Sequence, residues 1–308
     1  MIESGDEDRH VLDQAESDRL FRDRIVPDLL DGSPQQMPIV LFVCGQPGDG
    51  KATITALAQA VLRRRGRPVV LSAPAFEAYH PRLYEPITDV ATTGDRYVQY
   101  DGRRWLAAAE ALTIQRRYDA IAESELVDPG AFAESARRFK AAGYQVEIAI
   151  LAVHEAHSRL GVLERHMLAL EEFGFGRFVA QRTHDAGYQG VRRAADLVDT
   201  GDFADRVAVL CTDGRLLYGN QRDTRGQWQR PPVTGEVISR ERERPWTVAE
   251  SRYFLETVSQ VGRIGLAAPV QWVRDESVDQ AREITALARH RLHPDAVTLH
   301  IATAGTSS

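Results

Sequence analysis

Apolar residues recur along this chain in two patterns. The first is a set of short continuous runs: Ile39–Cys44 (IVLFVC), Pro68–Ser72 (PVVLS), Ala120–Ala122, Val146–Val153 (VEIAILAV) and Arg206–Cys211 (RVAVLC). They are rich in β-branched residues and lack the alternation of a strand with one wet face, so they predict strands buried on both sides. The second is helical spacing, over Lys51–Arg65, Arg103–Arg117, Pro129–Ala142 and Ala156–Phe173. Pro129 sits where a first helical residue tolerates proline. Strands alternating with helices predict an α/β fold, a parallel sheet with helices on both faces.

The ends of the chain differ from this middle. Residues 1–16 are acidic and polar and are expected to be disordered. Ser17–Leu30 carries Leu20, Phe21, Ile25 and Leu29 at helical spacing, with Pro27 arguing against a straight helix. The α/β domain is expected over 17–221, a linker or mobile loop over 222–246, and a helical extension over 247–308. Within that extension, Thr247–Ile264 and Glu276–Arg291 have helical patterns, and Thr247-Val248-Ala249-Glu250 reads as a capping box. These tail helices either dock a partner or pad the sheet.

Composition narrows the class. The 308 residues are 43% hydrophobic and 27% charged, which suits a globular chain and not a disordered one. No apolar run reaches the roughly 18 residues of a membrane span, and the N-terminus is not a secretory signal, so a cytoplasmic protein is expected. The formal net charge of −6 argues against a general clamp on nucleic acid. The cysteines, Cys44 and Cys211, sit at strand ends and read as core thiols. Only Lys51 and Lys140 are lysines, against 36 arginines, so each lysine merits inspection as a compact point charge.

Lys51 closes the main chemical motif. Gly45-Gln46-Pro47-Gly48-Asp49-Gly50-Lys51-Ala52 follows a predicted strand and opens a predicted helix, fitting G-x-x-x-x-G-K-[ST] at every position but the last. The glycines allow a tight turn that aims successive N–H groups at phosphate oxygens, the helix N-terminus adds its dipole, and Lys51 reaches the β- and γ-phosphates. Ala52 lacks the hydroxyl that this position normally gives to Mg²⁺. Thr53 is one residue on and points roughly 100° away. Asp49 puts a carboxylate inside the loop, where it either repels phosphate or turns outward to help hold a cation.

The order of features resembles the zeta-toxin family of P-loop kinases, from about Val26 to Gln221. The resemblance is carried by PIVLFVCGQPGDGK, by Phe76 with His80-Pro81, by Tyr118–Glu123, by Ala142-Gly143-Tyr144, by Ser158–Arg165, by Arg177, by His184-Asp185 and by Asp213–Tyr218. It implies a P-loop NTPase-like fold and a toxin of a toxin–antitoxin pair that phosphorylates UDP-N-acetylglucosamine, using ATP or GTP with Mg²⁺. An antitoxin partner near the early helix is likewise implied. On matching positions, residues 45–53 hold the nucleotide, Lys51 is the phosphate lysine, and Arg165 and Arg177 neutralise the transferring phosphoryl group. Glu123 orients the sugar or a metal-bound water. The alternative for Arg165 is a surface salt bridge with Glu164 or Glu172, and for Glu123 an exposed loop carboxylate.

Two departures from the family matter. Its D-x-D segment, which supplies the base, corresponds here to Ser72-Ala73-Pro74, with no carboxylate, and the Mg²⁺ hydroxyl is absent at Ala52. Glu77, Glu123, Glu125 and Asp119 are candidate replacements. The expected function is a zeta-toxin-like small-molecule kinase; the alternative is a pseudo-kinase that binds nucleotide or a partner without chemistry.

Overall fold

The structure is a computed structural model describing residues 11–81, 94–173, 179–268 and 271–296. Its contacts divide the chain into two units, residues 1–153 with 178–239, and residues 154–177 with 240–308. The division differs from the linear one that the sequence suggested. The second unit takes a helix from the middle of the expected α/β domain. The 222–246 stretch is not a bare linker, because it holds an Arg222–Trp228 bridge and a helix at Thr234–Glu243.

In the first unit the chain opens with α1 (Gln14–Leu20), a π-helical turn (Phe21–Ile25) and α2 (Val26–Leu29). The ordered helix thus begins before Ser17. It continues through Pro27 because the wider turn precedes the proline, which falls in the first turn of α2, where a missing N–H costs little. The strands are β1 (Ile39–Cys44), β2 (Val69–Leu71), β3 (Ala120–Ser124), β4 (Gln145–Leu151), β5 (Arg206–Leu210) and β6 (Leu216–Gln221). Their spatial order is β2-β3-β1-β4-β5-β6, all parallel except β6, which pairs antiparallel with β5. The helices of this unit are α3 (Lys51–Leu62), α4 (Ala73–Glu77), α5 (Gly94–Arg116), α6 (Pro129–Ala141) and α8 (Gln181–Thr200). Between the last two in sequence comes α7 (Glu155–Phe173), which belongs to the second unit.

β1 shows why continuous apolar runs were needed. Val40, Phe42 and Cys44 face a cluster that includes Phe132 and Phe139 of α6 and Val191, Ala194 and Val198 of α8. The Phe42 ring meets Phe132 edge-on, with centroids 5.4 Å apart. Val43 faces the other side, with Ile54 and Leu62 of α3. A strand covered on both faces cannot afford polar alternation. Both cysteines are buried, and burial pushes the Cys44 thiol well above the usual thiol range. Lys140 pairs with Asp205 and so has a structural task.

The second unit packs α7 against α10 (Val248–Ala267) and α11 (Gln271–Ala288); α9 (Thr234–Glu243) precedes them across the unit boundary. Leu160, Leu163 and Met167 meet Trp246, Phe254, Val261 and Ile284 in a core of their own that contains no strand residue. The capping box at Thr247 has both hydrogen bonds in place. His154 and His157 lie against Trp246, and burial lowers both imidazoles to about 4, so they are neutral around pH 7. Among the described residues no helix is long and apolar enough to cross a membrane.

Helix α8 carries no element predicted from the sequence, yet it sets the space around the loop after β1. A Cβ on Gly187 would stand 2.6 Å from the Glu125 carbonyl oxygen and 2.9 Å from Pro47, and one on Gly190 would stand 1.8 Å from the Leu126 carbonyl oxygen. The two glycines therefore let the helix lie directly on the loop after β3. Gly190→Ala is expected to destabilise the protein by ~2–3 kcal/mol, since backbone must move to admit the methyl. Urea denaturation checks this, and an unchanged midpoint would contradict it.

Candidate functional site

The loop between β1 and α3 lies at the carboxyl edge of the sheet, where open α/β sheets bind ligands. Gly48 (φ 79°) and Gly50 (φ 89°) take the left-handed conformation that this turn requires and that L side chains resist. The loop is held from several sides. The Gly45 amide donates to the Ser124 carbonyl at 3.0 Å, and the buried Gln46 side chain donates to the Val153 carbonyl at 2.9 Å. A Cβ on Gly50 would stand 3.6 Å from the Thr212 methyl, and one on Gly187 2.9 Å from Pro47. The amides of Gly48, Asp49 and Gly50 have no acceptor among the described residues. Together with the N-terminus of α3, they form a set of main-chain donors suited to an anion.

Lys51 folds back over this loop. Its ammonium donates to the carbonyls of Gly45 (2.9 Å) and Gln46 (2.8 Å) and to Asp49 Oδ1 (3.0 Å). The Lys51 amide donates to the same carboxylate oxygen at 3.2 Å. Asp49 does not turn outward: its side chain is 1% exposed, and Oδ2 has no hydrogen-bond partner. Burial raises the Asp49 carboxyl above the usual range, Glu125 adds to the rise, and Lys51 opposes it.

Ala52 and Thr53 are both exposed, so the loop's end offers no inward hydroxyl at either position. The hydroxyl arrives one turn later. Thr55 Oγ1 donates to Glu123 Oε1 at 2.6 Å, and Ser72 Oγ donates to Glu123 Oε2 at 2.8 Å. Glu123 lies within β3, one residue before its end, as a half-buried carboxylate clasped by two hydroxyls, not a loose loop group. Sequence reasoning missed both partners. They lie 68 and 51 residues away, and only parallel pairing of β2, β3 and β1 brings them together.

The other candidates separate. Asp119 precedes β3 at the opposite edge of the sheet, accepting from the Ile39 amide at 2.7 Å and from Arg65 at 2.8 Å, so it is a structural brace and not a replacement base. Glu77 is buried beside Gly102. His80 is buried against Asp101, which also takes Arg104 and the Leu12 amide. Glu125 directly follows β3 and contributes charge near Asp49. Arg165 lies on α7, exposed and in no ion pair among the described residues, so neither Glu164 nor Glu172 pairs with it. Arg177 lies outside the described residues. Among those described, no group of three or more His, Cys, Asp or Glu forms a metal cage.

A six-stranded, mostly parallel sheet with a glycine loop and lysine after its central strand defines a P-loop NTPase-like protein. A family profile described as Zeta toxin matches residues 27–223, and the chain belongs to that family. It is 23% identical over 249 residues to a protein named Toxin zeta from Enterococcus hirae, covering 78% of this chain and 83% of that one. It is 24% identical over 190 residues to Toxin PezT of Streptococcus pneumoniae serotype 4, covering 61% and 74%. A solved structure from the PezAT chromosomal toxin–antitoxin system of S. pneumoniae superposes with a TM-score of 0.68 at 16% identity, over 82% of this chain and 98% of that one.

The two hydroxyls on one carboxylate make a measurable contrast. Thr55→Val is expected to cost ~1–2 kcal/mol by leaving Glu123 Oε1 without its donor, whereas the exposed Thr53→Val should stay within about 0.5 kcal/mol of the parent. Equal denaturation midpoints for the two variants would contradict the clasp.

Proposed function

We propose that the chain is a zeta-toxin-type phosphotransferase that moves the γ-phosphoryl group of ATP or GTP to a hydroxyl of a nucleotide sugar, with UDP-N-acetylglucosamine the first acceptor to test. The observation that carries this reading is the loop itself: three main-chain amides without acceptors among the described residues, beside a lysine ammonium at the N-terminus of α3. In such a site Lys51 leaves its carbonyls and neutralises the β- and γ-phosphates, while residues 45–53 orient the chain of phosphates in line with the acceptor. Arg165 and Arg177 are proposed to spread the developing charge, as planar guanidinium groups do well.

The donor set fits a polyphosphate closely and Mg²⁺ sparingly. Ala52 gives no oxygen, but Mg²⁺ retains several waters and needs only one or two carboxylates besides phosphate. Glu123 would hold it, sharing its carboxylate with the Thr55 and Ser72 hydroxyls; the ion would neutralise phosphate charge. No carboxylate occupies 72–75 to act as base. A base contributes ~10²–10⁴-fold, and a loose transition state asks for little early proton removal, so slow transfer remains chemically open. The family and the relatives' names support a toxin neutralised by an antitoxin protein in the same cell.

A second reading has its own observation: Ala52 and Ser72-Ala73-Pro74 together remove two groups of the catalytic set. In that reading the domain binds nucleotide without turnover.

Transfer of label from γ-labelled ATP or GTP to a panel of nucleotide sugars separates the two. We expect product with the parent chain and at least ~10²-fold less with Lys51→Ala. Equal signals from the two would remove the kinase reading, and Mg²⁺-independent binding without product would establish the second.

A further inference from the structure

We infer that Asp49 is an internal competitor for the phosphate loop: its carboxylate occupies the donors that a nucleoside triphosphate must take, so nucleotide binds only by displacing it from Lys51. The inference rests on the reading of residues 45–53 as a nucleotide site. Three independent features carry it.

The first is the identity of the donors. Asp49 Oδ1 accepts from the Lys51 ammonium at 3.0 Å and from the Lys51 amide at 3.2 Å, the two groups of that residue that a phosphate oxygen would use. A carboxylate here cancels the charge that makes the loop attractive to an anion. The second is its placement. The side chain is 1% exposed, and Oδ2 is buried without a hydrogen-bond partner, a cost to stability set against the two bonds that Lys51 gives to Oδ1. The third is the room kept for it. A Cβ on Gly45 would stand 1.7 Å from Asp49 Oδ2, so the backbone reaches its present course only because the first residue of the motif has no side chain where the carboxylate lies.

The competition is unequal. One carboxylate oxygen engages Lys51, while a triphosphate brings several oxygens and finds the Gly48, Asp49 and Gly50 amides open. A triphosphate therefore wins at sufficient concentration, but with its affinity reduced by the work of moving a buried charge. The consequence is a kinase or sensor set to respond to high nucleotide levels, with the threshold written into one residue.

The test is calorimetric titration of the full chain with ATP and Mg²⁺, comparing the parent, Asp49→Asn, Asp49→Ser and Lys51→Ala, with thermal melting of each. Asp49→Asn preserves shape and removes charge; Asp49→Ser also clears the space. We expect both to bind at least ~10-fold more tightly than the parent, with Lys51→Ala weaker than the parent. If the parent binds and both Asp49 variants bind equally or more weakly, the carboxylate assists the site, as a cation ligand would, and the inference fails while the nucleotide reading stands. If none of the four binds, the nucleotide reading fails and takes the inference with it. Loss of folding in both Asp49 variants would make the carboxylate a structural brace and overturn the inference as well.

Discussion

The contact between Lys51 and its own loop is the interaction on which the site turns. A lysine ammonium is strongly hydrated, and taking it largely out of water requires replacement partners. Here two carbonyls and a carboxylate supply them. The same three bonds hold the loop compact and leave neighbouring amides open. The loop is thus held in one course by its own lysine, which leaves the Lys51 ammonium engaged with main chain and Asp49. The surrounding structure tightens this constraint: Ser124 at the end of β3 and Val153 after β4 accept hydrogen bonds from the loop, and α8 lies close against it at Gly187.

Catalysis by phosphoryl transfer depends on position and charge more than on covalent chemistry, and the residues kept and lost by this chain should be weighed on that scale. The glycine turn, its open amides and Lys51 are present. The hydroxyl at the loop's end is absent, and a different one, Thr55, is present a turn later but committed to Glu123. Ser72 stands at the edge of the segment where a carboxylate was expected and is committed to the same group. The carboxyl edge of the sheet therefore holds a small hydrogen-bonded network in place of an exposed acid. That network fixes the orientation of Glu123 through both of its carboxylate oxygens.

Much of this architecture was legible in the amino acids. β1 and its loop were readable because a strand buried on both faces is uniformly apolar and because glycines at 48 and 50 mark the left-handed turn. The capping box placed the start of α10 within a residue. The cost of proline in a helix argued against a straight early helix, but a π-helical turn absorbed it. Helix α8 was missed because its pattern is broken by Gly187 and Gly190, residues that weaken a helical signal while allowing the close approach the fold needs. The division into two units was hidden because α7 leaves the sheet domain and joins helices nearly a hundred residues downstream. The clasp on Glu123 and the inward course of Asp49 were beyond sequence reasoning, since both are decided by which strands lie side by side and by the depth of a single rotamer.

A crystal structure of the full chain grown with a non-hydrolysable ATP analogue reads the loop most directly. The β- and γ-phosphates are expected against the amides of residues 48–50, with the Lys51 ammonium moved from the Gly45 and Gln46 carbonyls onto phosphate oxygen. An analogue bound elsewhere, with Lys51 still on those carbonyls, would contradict it.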